Sequence, residues 1–199
     1  MAAPAGLTHD GYEVQFGVNH LAHALLIKLL MPVLEQTAER EGDARIVSLT
    51  SLGMKMPPLG GIVFEDLRTT QEYGMASAWY RYGQSKLANV LYATELARRY
   101  PAVISVSVHP GVINTGLVSN LGFLNRCLVY VTNIGRMISP EQGVYNPCWA
   151  ATTKKEDVLN GAYYEPVGKL GEHTKESSSE ELAKELWEWT HKQLEQFQH

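Results

Sequence analysis

The chain has 199 residues, 45% of them apolar, with a net charge of -4 and two cysteines. That is enough apolar material for the core of one domain. The acidic balance, with no basic stripe, argues against a nucleic-acid partner, and Cys127 with Cys148 is too few for a disulfide framework or a cysteine metal site.

The opening residues Met1-Ala2-Ala3-Pro4 lack the charged and apolar regions of a secretion signal. No uninterrupted apolar run reaches the ~18 residues a membrane-spanning helix needs. The expectation is a cytoplasmic protein without a membrane span. From Gln15 to about Glu39 apolar residues recur at helical spacing, among them Phe16, Leu21, Leu25, Leu29 and Leu30. A helix so nearly apolar all round is buried or forms an oligomer contact. Arg45 to Thr50 is a β-rich run and reads as a strand. Pro57 to Gly61 is a turn-rich loop. Ser77 to Arg99 returns to helical period and stops before Pro101, because the residue preceding a proline disfavours the α region.

Val103 to Val108 predicts a second strand, ended by His109-Pro110-Gly111. Leu117 to Met137 is apolar but interrupted by Gly122, Asn125 and Gly135. Pro140 to Thr152 predicts a helix, and Gly161 to Tyr164 a third short strand. Glu172 to Glu181 reads as a polar surface loop. Ser178 with Glu181 has capping-box spacing, ahead of a final amphipathic helix carrying Leu182, Leu186 and Trp189. Strands alternating with helices predict βαβ units and a parallel sheet.

Tyr82-Gly83-Gln84-Ser85-Lys86 is the pattern richest in chemistry. Tyr and Lys four residues apart share one helix face, which puts an ammonium beside a phenol. A free phenol titrates near ~10, and a neighbouring cation favours the phenolate. Such a pair can trade protons with a bound alcohol or carbonyl. With ten tyrosines in the chain, the spacing also arises by chance about half the time, so it needs company. Ser51 stands at the carboxyl end of the first strand, where open parallel sheets bind ligands; its alternative is a loop hydroxyl solvating its own turn. Asn19 is an amide within an apolar helix and must find a partner there, structural or functional. Gly111 permits close backbone approach to a ligand, and Thr115 offers a hydroxyl shortly after; the alternative is a plain turn. His20 and His23 have no carboxylate or cysteine cluster beside them and are read as packing histidines, so no metal is expected.

Together these features resemble the short-chain dehydrogenase/reductase family, in its retinol-dehydrogenase-like and fungal-reductase branch. The strings that carry the resemblance are GYEVQFGVNHLAHALL, RIVSLTS, YRYGQSKLANVLYATELA, VSVHPGVINTGL, SPEQG and GAYYEPVG. The resemblance implies hydride transfer between NADP (or NAD) and a small-molecule alcohol or carbonyl substrate. Tyr82 would be the acid–base residue. Lys86 would lower its pKa and bond the nicotinamide ribose, and Ser51 would polarise the substrate oxygen. Asn19 would hold a water that links Lys86 to solvent. Pro110, Gly111, Ile113 and Thr115 would cup the nicotinamide, and the helices at 15–39 and 77–99 would form a homodimer contact. Leu117 to Met137 would cover the pocket.

The chain departs from this pattern in three places. Met54 stands where the branch often has His, and the Ser51–Tyr82 interval holds Pro57, Pro58, Gly60 and Gly61. More seriously, no TGxxxGxG phosphate turn occurs in the sequence. The implied fold is the C-terminal portion of a Rossmann-like, doubly wound parallel α/β sheet, with strands 5–7, their flanking helices and no N-terminal βαβ units. Residues 1–199 are accordingly expected to be a single, N-terminally truncated domain with an open edge on its first strand. Two other readings stand beside the oxidoreductase. One is an inactive pseudoenzyme or interaction module; the other is a cofactor-free isomerase or dehydratase.

Overall fold

The computed structural model describes residues 1–113, 116–119 and 122–197. Thr115, singled out above, and Leu121, within the apolar stretch from Leu117 to Met137, lie outside the described residues.

A four-stranded sheet in the order β1-β2-β5-β6 organises the molecule. β1 (Arg45–Leu49), β2 (Ile104–Val108) and β5 (Tyr163–Glu165) run parallel, and β6 (Lys169–Leu170) closes one side antiparallel. β1 pairs with β2 from Arg45↔Ile104 to Leu49↔Val108 and has no partner on its other edge among the described residues. A separate two-strand ladder joins β3 (Val112–Ile113) to β4 (Met137–Ile138). β6 and this ladder were not predicted; strands of two residues carry no legible period.

The first helical run begins as α1 (Val14–Phe16), widens into a π-turn at Gly17–Leu21 and continues as α2 (Ala22–Glu41). α3 (Ser77–Arg99) has the predicted bounds. α4 (Gly116–Ser119) and α5 (Phe123–Thr132) follow β3, and α6 (Pro140–Gly143) and α7 (Tyr145–Thr152) follow β4. The predicted helix over Pro140 to Thr152 is therefore two, broken at Val144. α8 (Glu180–Gln193) is capped by Ser179, whose hydroxyl accepts from Leu182 N, not by Ser178. Ser178 is drawn away to donate its own hydroxyl to the carbonyls of Thr174 and Lys175.

Side chains alternate across β2 and sort into two cores. One gathers Ile46, Leu87, Val90, Leu91, Tyr163 and Leu186 between the sheet and α1, α2, α3 and α8. The other packs Ile104, Val106, Val108, Ala150 and Tyr164 under α7. Helices on both faces of a parallel sheet make a doubly wound arrangement.

α8 lies on α3. Tyr92 stacks on Trp187 with centroids 5.1 Å apart, Trp189 meets Phe16 edge-on at 5.8 Å, and His20 Nε2 pairs with Thr190 Oγ1 at 2.9 Å. α8 thus occupies one face of α3, one of the two helices that the resemblance gave to a dimer contact. The first helical run is buried on one side only. Phe16, Leu21, Ala24 and Met31 are buried, while Val18, Leu26, Leu29 and Val33 are exposed. By length and composition Val14–Glu41 is apolar enough to cross a bilayer, with a mean hydropathy of 1.4 over its most apolar window. Residues 14–21 pack on α3, and 28% of that window is buried, where the core helix of a soluble protein is mostly buried. The sequence hides that length because His20, His23 and Lys28 interrupt it.

Candidate active site

Two glycines bring Ser51 to Tyr82. Ser51 leaves β1 and caps the turn Leu52–Lys55, its hydroxyl accepting from Gly53 N at 3.1 Å. A side chain on Gly53 would meet the Tyr82 ring at 2.8 Å, and one on Gly83 would meet the Met56 carbonyl oxygen at 2.3 Å. Only glycine at both places lets this turn lie directly on α3. Thr50 adds a clamp, donating from Oγ1 to the Lys86 carbonyl at 2.8 Å.

Tyr82 is buried, and burial raises its phenol above the usual value; hydrogen bonding to Ser51 pulls it back down. Lys86 Nζ sits 5.9 Å from the centre of the Tyr82 ring. It donates to the Leu49 carbonyl at 3.2 Å, and burial lowers its pKa to about 8. Burial therefore outweighs the hydrogen bond with Ser51 at Tyr82: the phenol is raised, where proximity to Lys86 alone implied lowering. The same carbonyl also accepts from Asn89 Nδ2 at 3.0 Å. Asn89 was not singled out in the sequence, although it lies seven residues after Tyr82, two turns along the same face.

Asn19 falls within the π-turn, a feature that gathers at functional sites. Its Nδ2 donates to Ser85 Oγ at 3.0 Å, and Ser85 Oγ in turn donates to the Tyr82 carbonyl at 2.8 Å. The Asn19 carbonyl pairs with His23 Nδ1 at 3.0 Å. So Asn19 reaches the backbone of the Tyr82 turn through Ser85. His20 is a packing residue between Phe16 and Tyr92. Among the described residues, no three His, Cys, Asp or Glu side chains converge as metal ligands.

At the carboxyl end of β2, His109 is buried, with its ring held to about 4 by burial and by Lys55. Pro110 and Gly111 turn the chain there, Gly111 at a φ of 100°, and lead into Ile113. The buried Asn146 amide braces the turn, donating to the His109 carbonyl at 2.8 Å and accepting from Gly168 N at 3.0 Å. A second buried group lies under the N-terminal half of α3. Arg81 pairs with Glu13 at 3.2 Å and donates to the carbonyls of Gln71 and Ala3. A cavity of about 940 Å3 runs along this end of α3, walled by Met1–Ala5, Met75, Ser77, Ala78, Arg81, Gly122 and Asn125.

No protein-family profile matches the chain. Individual relatives do. An uncharacterized oxidoreductase of Schizosaccharomyces pombe is 37% identical over 98% of this chain and 59% of its own length. A short-chain dehydrogenase/reductase of Aspergillus calidoustus is 32% identical, over 98% of this chain and 65% of its own length. The chain belongs to the short-chain dehydrogenase/reductase family. Mouse retinol dehydrogenase 14 is 34% identical over 93% of the chain and 53% of its own length. The chain thus spans roughly three-fifths of the curated relatives it matches. Among solved structures, an uncharacterized protein of Mycobacterium paratuberculosis superposes with a TM-score of 0.69 at 28% identity, over 96% of this chain and 62% of its own. The KRED1-Pglu enzyme shares the fold, with a TM-score of 0.54 at 19% identity, over 82% of this chain and 64% of its own.

Proposed function

We propose that the chain carries the substrate and acid–base portion of an oxidoreductase that interconverts an alcohol and a carbonyl with NADP or NAD. The observation that carries this reading is the docking of the Ser51 turn onto Tyr82 through Gly53 and Gly83, with Lys86 on the same helix face.

The nicotinamide end of a dinucleotide fits what is present. The Lys86 ammonium donates one hydrogen bond, to Leu49, which leaves two N–H groups for ribose hydroxyls. Pro110, Gly111 and Ile113 stand at the carboxyl ends of the parallel strands, the ligand side of such sheets. Thr115 belongs to the same reading. When bound, the nicotinamide supplies or takes up the hydride. Ser51 Oγ and the Tyr82 phenol together hold the substrate oxygen. In reduction Tyr82 gives that oxygen a proton; in oxidation it removes one. Lys86 stabilises the phenolate left behind, and Asn19 steadies the Tyr82 turn through Ser85 and holds the water that leads from Lys86 to solvent. NADP is preferred by likeness to the branch.

The substrate is a small carbonyl compound or the matching alcohol. The two unbridged cysteines fit a reducing compartment such as the cytosol.

The test is NADPH consumption with a panel of aldehydes and ketones. Tyr82→Phe is expected to lower turnover by about 10²–10⁴-fold, the range for a general acid. Turnover that survives the substitution overturns the assignment. The uncovered β1 edge and α2 face favour a second reading, an interaction module without turnover. Calorimetry with NADPH separates the two: binding supports the first, and its absence together with stable self-association supports the second.

A further inference from the structure

Two side chains of α3 converge on the Leu49 carbonyl. Thr50 N donates to the Val108 carbonyl of β2 at 2.9 Å. Across the trans peptide the Leu49 oxygen points the opposite way, to the edge of β1 that has no strand beside it among the described residues. There it accepts from Lys86 Nζ at 3.2 Å and from the buried Asn89 Nδ2 at 3.0 Å. A carbonyl oxygen has two lone pairs, so these two donors fill it.

Asn89 is itself held. Its side chain is hydrogen-bonded to the ring of His20, and that bond favours the protonated ring, so the ring donates and Asn89 Oδ1 accepts. Burial keeps His20 neutral down to about 3, and a neutral imidazole has one donor and one acceptor. The acceptor is then Nε2, which takes the Thr190 hydroxyl of α8 at 2.9 Å. Thr190, His20 and Asn89 are all buried. Asn19, the neighbour of His20 in the π-turn, reaches the Tyr82 carbonyl through Ser85. Two successive residues of one widened turn thus serve the two ends of the Tyr82–Lys86 pair.

We propose that Asn89, oriented by His20, is a positioning residue that shares the Leu49 carbonyl with Lys86 and so fixes where the ammonium stands. The positive end of the Asn89 N–H lies beside the ammonium and competes with it for one oxygen. Both effects favour release of the Lys86 proton. The sharing stands on its own geometry, whereas its consequence for turnover rests on the reading of Lys86 given above. Facing Lys86 are the Tyr82 phenol, which burial keeps protonated through this range, and the Met1 ammonium. Facing His20 are His23 and Tyr92.

NMR titration of the full chain labelled with carbon-13 at lysine Cε tests the proposal; the Lys86 signal is the one lost in Lys86→Arg. Its midpoint is expected to rise by about half to one pH unit in Asn89→Leu, the scale of one hydrogen bond. His20→Leu, which lets Asn89 turn away, should raise it in the same direction and add nothing in the double variant. His20→Gln, which keeps a donor for Asn89, should stay near the parent. An unmoved or lowered midpoint in Asn89→Leu would leave Asn89 as a strand-edge cap alone and overturns the proposal; additive effects overturn the part given to His20. If Asn89→Leu loses its cooperative thermal transition, the contrast between Leu and Gln at position 20 decides alone. The titration needs no cofactor. In NADPH turnover the falling limb of the pH profile should move with the midpoint. A midpoint that moves while the limb stays still sinks the role given to Lys86 and leaves the sharing of Leu49 intact.

Discussion

At residue scale, the burial that raises Tyr82 also brings Lys86 down to about 8, and the two shifts shape the pH profile. Reduction needs the protonated phenol and a charged Lys86. Both are present at neutral pH, and the charge on Lys86 is lost as pH rises through about 8. The rate of carbonyl reduction should therefore fall above that point. Lys86→Arg, whose guanidinium does not deprotonate in this range, should move the falling limb upward by at least one pH unit or abolish it; an unmoved limb in initial-rate measurements would point to a different group. Gly83 makes a sharper structural prediction. Gly83→Ala sets a methyl against the Met56 carbonyl, which is backbone and cannot rotate away. A loss of about 1–3 kcal/mol is expected in urea unfolding, together with displacement of the turn that carries Ser51. Both Tyr82 and Lys86 were legible in the sequence because their spacing is a helix period. Asn89 was not, because its role depends on Leu49, which lies far away in the chain.

At element scale, α2 and β1 leave an apolar margin. Leu26, Leu29 and Val33 are exposed on α2, and Leu49 is exposed at the end of a strand with one edge unpaired among the described residues. Such margins drive association. Leu29→Glu with Val33→Glu should lower the weight-average sedimentation coefficient at high protein concentration, while leaving the helix signal in circular dichroism unchanged. A coefficient unaffected by the double change would place any association elsewhere. α3 is the less available partner, because Trp187 and His191 already stack on its Tyr92. The long elements were readable because period and punctuation agreed, as in α3, whose bounds match residue for residue. The cap of α8 was missed by one position because Ser178 has the capping-box glutamate, Glu181, and Ser179 does not; local hydrogen bonds to Thr174 and Lys175 engage Ser178 and leave Ser179 to cap. β3, β4 and β6 are set by pairing, which local sequence does not encode.

At the scale of the whole molecule, three histidines make stability depend on acid. Burial holds His20 at about 3 and His109 at about 4, and lowers His191 similarly. In the unfolded chain each binds a proton near pH ~6.5. Between that value and the folded ones, the unfolded state binds more protons, so stability falls as pH falls. From pH ~6.5 to ~5, His20 and His109 should each withdraw about 2 kcal/mol. Glu13, whose carboxyl burial raises, works in the opposite direction at the acid end of this window. Urea unfolding at the two pH values should show the loss, and a His20→Gln variant should show a shallower dependence. A flat profile in the parent would mean that these rings are solvated in solution.

α8 also sets a timetable. Some 80 residues separate the end of α3 from the start of α8, and at ~5–20 residues per second the ribosome needs about 4–16 s to make them. For that interval the aromatic surface of Tyr92 and Phe16 waits uncovered. The helix that carries the acid–base pair is thus formed early but sealed late, and the nascent chain is most in need of a chaperone just before Trp187 and Trp189 emerge.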